Sequence, residues 1–151
     1  MKRLLALVLM LGVLTTSGCS RGPSGEIERV LNACAKQADY VNSVDAPHDK
    51  KAAYLAEKMQ EIDTRGCPRE FRIAFQQHIN AWRAASVAFA QNTEGNLLME
   101  SVASGLTGDS SYLGAAQRNA NEALGAINAT YEQLSEIATA YGAQVPRSVI
   151  E

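Results

Sequence analysis

Apolar residues recur at spacings of three and four along most of the chain, which is the pattern of helices with one buried face. The first such helix begins near Glu26, and its apolar positions are Ile27, Val30, Leu31, Cys34, Ala38 and Val41. Pro47 then fits the first turn of a second helix, where its missing N–H would have no helical partner. The second helix carries Leu55, Met59 and Ile62 inward, and we expect it to end near Gly66, a residue suited to a left-handed cap.

The third predicted helix begins at Cys67-Pro68 and carries the most aromatic stripe of the chain. Its members are Phe71, Phe75, His78, Trp82, Ala85 and Phe89. At about 100° per residue, these positions fall within about 40° of one line along the helix. His78 is therefore expected in the middle of an apolar face, one turn from the chain's only tryptophan.

The last predicted helix covers residues 111–142. Two rows repeat along it every seven residues: Leu113, Ala120, Ile127, Leu134 and Tyr141, and beside them Leu124, Tyr131 and Ala138. This is the seam of helices that cross near +20°. The segment before it holds three glycines, yet Leu98, Val102 and Leu106 indicate a possible extra short helix around 96–106.

These segments predict an all-α fold, an antiparallel four-helix bundle, within a single domain of residues 26–145 and followed by a tail at 146–151. The alternative is an irregular helical array. No alternating apolar and polar run is long enough to predict a sheet.

The first residues differ from the rest of the chain. Lys2 and Arg3 precede an uncharged run of 11 residues from Leu4 to Leu14. A bilayer-spanning helix needs about 20 apolar residues, so this run is too short to be one. A basic start, a short apolar run and small residues predict a secretory signal peptide over residues 1–18.

Ser17-Gly18-Cys19 resembles the lipobox of bacterial lipoproteins, and the resemblance is confined to residues 1–19. It implies that Cys19 becomes an acylated N-terminus, with residues 19–25 as a flexible tether to the membrane. Thr16 departs from the Leu, Val or Ile that the family prefers there, so ordinary processing to a soluble protein is the alternative. Ser20 is not the Asp that commonly retains lipoproteins at the inner membrane. The resemblance therefore implies a periplasm-facing lipoprotein of the cell envelope, at the outer rather than the inner membrane.

Two cysteines remain if Cys19 carries lipid. An exported protein meets an oxidising compartment, so Cys34 and Cys67 are predicted to form a disulfide. That bond would close a loop of 34 residues, which is worth about 4 kcal/mol in the chain-entropy model. The alternative is two free, buried thiols.

Charge and motifs narrow the function. Without Lys2 and Arg3, 12 basic residues face 16 acidic ones, a net charge of −4 over the mature chain. No basic cluster is present, which argues against nucleic acid as a partner. The sequence has no G-x-S-x-G elbow, no glycine-rich phosphate motif and no Glu-x-x-His pair. We therefore predict neither an enzyme nor a bound cofactor.

His78 has two interpretations. The favoured one is a core residue whose ring bonds a carbonyl or a polar side chain on a facing helix. The other is an axial ligand of haem or a metal, with Met59 or Met99 as its partner, although no C-x-x-C-H attachment motif is present.

Two functions follow from these interpretations. The first is a lipid-anchored envelope protein with an accessory or protein-binding role. The alternative is a periplasmic bundle that binds a small cofactor, haem or a metal, through His78. A surface for a protein partner could draw on the tyrosines, which are enriched at interfaces, although half-buried positions at the bundle edge are the favoured interpretation for them. They are Tyr40, Tyr54, Tyr112, Tyr131 and Tyr141.

Overall fold

The computed structural model describes residues 22–91 and 111–146. It is all-α over these residues and consists of four helices packed against one another, as predicted. The helices are α1 (Pro23–Ser43), α2 (His48–Gln60), α3 (Arg69–Gln91) and α4 (Ser111–Ala140). The short helix predicted around 96–106 lies outside the described residues. Within the described ranges, no helix has both the length and the apolar character needed to cross a bilayer.

Helix α1 begins earlier than predicted. It starts at Pro23, inside the stretch that we assigned to a flexible tether, with Gly22 as its N-cap. Proline is favoured at the first helical position because its φ is already helical and its missing N–H would be unpaired there. The Glu26 N–H bonds the Gly22 carbonyl and closes the first turn.

The end of α2 is a correction to the sequence prediction. The helix ends at Gln60, well before Gly66, and Pro47 is its N-cap rather than a residue of its first turn. Short turns follow, in which the Ile62 N–H bonds the Met59 carbonyl and the Cys67 N–H bonds the Thr64 carbonyl. Gly66 does not form a left-handed cap. Among the described glycines, only Gly142 has a positive φ, of 73°.

Consecutive helices run antiparallel. The His48 ring, at the start of α2, lies 6.2 Å from the Phe89 ring, near the end of α3. Glu28, near the start of α1, accepts a hydrogen bond from the Gln144 N–H, which follows α4. The bundle therefore has a Pro23 end, where α1 begins and α4 finishes, and a Val44 end, where the turn between α1 and α2 lies.

The core has two parts of different composition. The large-residue cluster is made by all four helices and includes Ile27, Val30, Leu31, Leu55, Met59, Phe71, Phe75 and Leu134. The alanine cluster lies between α3 and α4 and consists of Ala81, Ala85 and Ile127, with Trp82, Phe89 and Ala123 partly buried against it. Trp82 packs against both clusters and joins them.

A clasp of residues 141–146 follows α4. Gly142 and Ala143 donate to the Thr139 and Ala138 carbonyls, which is the Schellman pattern with glycine in the left-handed position. The clasp then turns back onto the bundle, and Ala143 is buried in the large-residue cluster. At the same end, the Tyr141 hydroxyl donates to Glu70 on α3, so the clasp contacts both α1 and α3.

Candidate functional site

His78 lies in the core between α3 and α4, as its position on the apolar stripe predicts. It is 6% exposed. Its Nδ1 lies 2.9 Å from Thr130 Oγ1 on α4. On its other side, Trp82 Nε1 donates to His78 Nε2 at 3.1 Å. The expected bond to a polar side chain on a facing helix is therefore present, and Trp82 supplies a second bond from the same helix.

The hydrogen-bond network assigns the tautomer of His78. The indole N–H can only donate, so Nε2 must be the acceptor and the proton is on Nδ1. Thr130 Oγ1 accepts that proton's bond and donates its own hydrogen to the carbonyl of Ala126 at 2.8 Å or Ile127 at 3.0 Å. A second proton on the ring would bind Nε2. The resulting Nε2–H would then face the Trp82 indole N–H, and two donors would oppose each other. Burial lowers the pKa of His78 from 6.5 to about 4, so the ring is neutral at pH 7.

Of the three residues proposed as haem or metal ligands, His78 and Met59 lie in the described part of the chain. Both His78 nitrogens are already hydrogen-bonded within the protein. Met59 is buried on α2 in the large-residue cluster, and Met99 lies outside the described residues. Across residues 22–91 and 111–146, no three His, Cys, Asp or Glu side chains come together to hold a metal ion.

The predicted disulfide is absent. Cys34 and Cys67 are both free thiols in the structure. Cys67 lies level with the first turns of α1, because a Cβ on the preceding Gly66 would be 3.0 Å from Glu26 Cγ. Cys34 is eight residues further along α1, about 12 Å at 1.5 Å per residue. A disulfide joins Cα atoms roughly 4.4–6.8 Å apart, so the two cysteines sit at different heights in the bundle.

Both thiols are shielded in place. Burial raises the pKa of the Cys34 thiol to about 12, and burial also raises the pKa of the Cys67 thiol. Cys67 is a buried member of the large-residue cluster, and Cys34 is partly buried against it. Since the thiolate is the reactive form, neither cysteine has the properties of a nucleophile or a redox centre.

The four tyrosine side chains that the structure describes do not share one surface. Tyr131 donates to the Pro146 carbonyl at 3.0 Å, and Tyr141 belongs to the clasp at the Pro23 end. The Tyr112 side chain lies outside the described residues. Only Tyr40 and Tyr54 come together, with ring centroids 5.7 Å apart and an interplanar angle of 41°.

The Tyr40–Tyr54 pair forms part of a surface groove at the Val44 end, with a volume of about 190 Å³. We call it the tyrosine groove. Its lining residues are Tyr40, Val41, Val44, Ala46, Lys50, Lys51 and Tyr54. Tyr40 is 55% exposed and Val44 is 37% exposed, so two apolar side chains face water there. The helical periodicity of α1 could not reveal this groove, because the turn at 44–47 sets the angle between its two walls.

Comparison with known proteins adds no family. No family model, no curated protein and no solved structure matches this chain. Cys19, the predicted site of lipidation, lies outside the described residues. The features of this chain that bear on its function are therefore the N-terminal residues 1–19, the buried histidine and the tyrosine groove.

Proposed function

We propose that this protein is a lipid-anchored helical bundle of the cell envelope with an accessory, protein-binding role and no catalytic activity of its own. The export segment and the lipobox-like Ser17-Gly18-Cys19 support the anchor. The tyrosine groove supports the binding role, since tyrosine is enriched at protein interfaces.

The observation that carries the proposal is the position of the groove relative to the start of the fold. The anchor would join the protein at the Pro23 end, three residues before Gly22. The groove lies at the other end of α1, a helix of 21 residues and thus about 30 Å long. An anchored bundle would present the groove away from its own membrane, where a partner could reach it.

A cofactor role for His78 has less support. A metal ligand needs a free nitrogen lone pair, and Trp82 Nε1–H occupies the one on Nε2. Ligation through Nδ1 would need that nitrogen to lose the proton it shares with Thr130. Binding haem or a metal at His78 would therefore dismantle a hydrogen-bond network that is complete without it.

Intact mass of the mature protein tests the anchor. We expect the mass to include acyl chains on Cys19, since two or more chains are needed for firm membrane attachment. Cys19→Ser should release a soluble form or leave an unprocessed precursor. A mature wild-type protein without acyl mass would refute the lipoprotein part of the proposal.

Position-specific crosslinking in intact cells tests the binding role. A photoreactive amino acid at position 40, in the groove, should give a discrete adduct with another protein. The same residue at position 87 is the control, since Val87 is 60% exposed on α3 and does not line the groove. Equal adducts at both positions, or none at position 40, would contradict a binding role for this surface.

A further inference from the structure

We propose that the tyrosine groove binds an acidic segment of a partner protein that inserts one bulky apolar side chain. This inference rests on the proposed function and adds the chemistry of the partner. It comes from the shape of the groove, from the way its rings are held and from the charges at its rim.

The groove has the size for one side chain. Its volume of about 190 Å³ is below the roughly 300–1,000 Å³ of pockets for small organic ligands. Val41 is 7% exposed and forms part of the apolar lining, while Tyr40, Val44 and Tyr54 also line the groove. An aliphatic or aromatic anchor would cover the exposed parts of Tyr40 and Val44.

The aromatic wall is held in place before any partner arrives. The Tyr54 ring has Tyr40 as a neighbour and Lys58 Nζ 5.8 Å from its centroid. Lys58 in turn makes two contacts to the exposed Glu61 carboxylate, at 2.8 and 2.9 Å. Side chains that already contact one another lose less conformational entropy on binding than free ones do, which favours affinity.

The charges at the rim select an acidic partner. Lys50 and Lys51 line the groove, and none of its described lining residues is acidic. Lys50 lies 3.4 Å from the Asp49 carboxylate and is partly neutralised. Lys51 makes no ion pair within residues 22–91 and 111–146. Complementary charge across an interface gives specificity and a faster encounter.

The same charges fix a direction for the partner. Asp45 is exposed in the turn between Val44 and Ala46, on the side where α1 ends. The lysines belong to the first turn of α2. The acidic residues of the partner should therefore lie along α2, with the apolar anchor against the paired tyrosine rings.

A protein segment fits this surface better than a membrane does. The residues between Cys19 and Gly22 span at most about 11 Å when extended. The groove is about 30 Å from the Pro23 end, so the anchoring membrane is out of its reach when the bundle stands upright.

Selection from a random peptide library tests the proposal. The full mature chain, in detergent micelles, is the target, and bound peptides are sequenced and titrated. We expect enrichment of Asp and Glu next to one Leu, Phe or Trp. Val44→Asp should weaken binding of these peptides about tenfold or more, which corresponds to 1.4 kcal/mol. Val87→Asp is the matched control, an identical change at an exposed valine outside the groove, and should leave binding unchanged.

A charge swap tests the rim. Lys51→Glu should weaken the acidic peptides and strengthen the same peptides with Lys in place of Asp and Glu. Arg118→Glu, on α4, is the control. Far-UV circular dichroism should show every variant to be folded. Peptides without acidic bias, peptides equally sensitive to Val87→Asp, or a selection that yields none dependent on Val44 would overturn the proposal.

Vesicles separate the remaining alternative. The soluble Cys19→Ser chain should not bind vesicles that contain an anionic phospholipid. Binding that Val44→Asp abolishes would make the groove a membrane contact and overturn the proposal. If crosslinking at position 40 succeeds but acidic peptides are not enriched, only the partner chemistry is wrong. If crosslinking fails as well, the binding role itself is refuted.

Discussion

The two core clusters hold the same pair of helices, α3 and α4, together in different ways. In the large-residue cluster, side chains such as Phe71 and Leu134 are at most 1% exposed and fill the space between all four helices. In the alanine cluster, Ala81 and Ala85 contribute little apolar area. Burial stabilises by about 25 cal/mol per Å², so most of the folding free energy should come from the first cluster. The alanine cluster depends on small side chains between α3 and α4. Larger side chains should therefore destabilise it more than the removal of apolar contacts would.

Truncation in the large-residue cluster should have the largest effect. Phe71 is fully buried, and Phe71→Ala removes its ring and leaves a cavity. We expect the free energy of unfolding to fall by about 3–5 kcal/mol, measured by urea denaturation. Ile73→Ala, on the same helix at a side chain that is 49% exposed, should change it by no more than about 0.5 kcal/mol. Similar losses for both would mean that this cluster is not the main source of stability.

Acid should weaken the junction between the clusters, where His78 and Trp82 meet. The pKa of His78 is lowered to about 4 in the folded protein, against about 6.5 in the unfolded chain. The unfolded state therefore binds the proton more tightly, and stability falls as pH decreases from 6.5 through 4. The loss for this one group is on the order of 3 kcal/mol, and denaturation at a series of pH values measures it.

His78→Leu is the control for that pH dependence. The variant should lose this part of the slope between pH 6.5 and 4, while the contributions of carboxylates remain in both proteins. At pH 7 it should be less stable by about 1–3 kcal/mol, because Trp82 Nε1–H loses its acceptor. An unchanged slope would show that His78 titrates normally in the folded protein.

Crowding should be the way to disrupt the alanine cluster. Ala85 is 0% exposed, and Ala85→Leu inserts a larger side chain where the helices lie close. We expect a loss of about 1–3 kcal/mol. The neighbouring Ala84 is exposed, so Ala84→Leu should change stability by no more than about 0.5 kcal/mol. Tolerance of Leu at position 85 would mean that this part of the bundle is loosely packed.

The smallest effect should come from a reductant. Both cysteines of the domain are free thiols beside the large-residue cluster, so dithiothreitol should leave the denaturation midpoint unchanged. A disulfide would contribute about 2–4 kcal/mol. Labelling in denaturant without reductant should find both thiols, and labelling of the native protein should be slow. If no thiol reacts in denaturant, the two cysteines are bonded to each other, as the sequence predicts.

Periodicity was sufficient to predict the four described helices, though not all of their ends, and the burial of His78. The stripe from Phe71 to Phe89 is a property of one helix, and the apolar spacing alone places His78 at its centre. The neighbour of His78 on the same helix could also be inferred from the sequence, since Trp82 lies four residues away, the spacing of neighbours on a helix face. The Thr130 contact could not be inferred, because only the packing of α4 against α3 decides which α4 residue meets the His78 ring.

The errors concern positions where two elements meet. The pair of cysteines left in an exported chain predicted a disulfide, but the turns after Gln60 place Cys67 level with the first turns of α1, at a different height from Cys34. Gly66 was predicted to cap α2, yet Gly142 is the left-handed glycine among the described residues. The tyrosine groove depends in the same way on the angle between α1 and α2. Such relations are set by loop geometry, for which the chain has no periodic signal.

The clasp has a consequence for the order in which the domain folds. Its contacts join residues far apart in the chain, 116 positions for Gln144 and Glu28 and 71 for Tyr141 and Glu70. Contacts between adjacent helices close much shorter loops and form sooner. Synthesis proceeds from the N-terminus, so the apolar stripe of α3 is made before the helix that covers it. Folding can therefore be completed only once residues 111–146 are available, which for the exported protein proposed above means after they have crossed the membrane, and until then the α3 stripe stays uncovered.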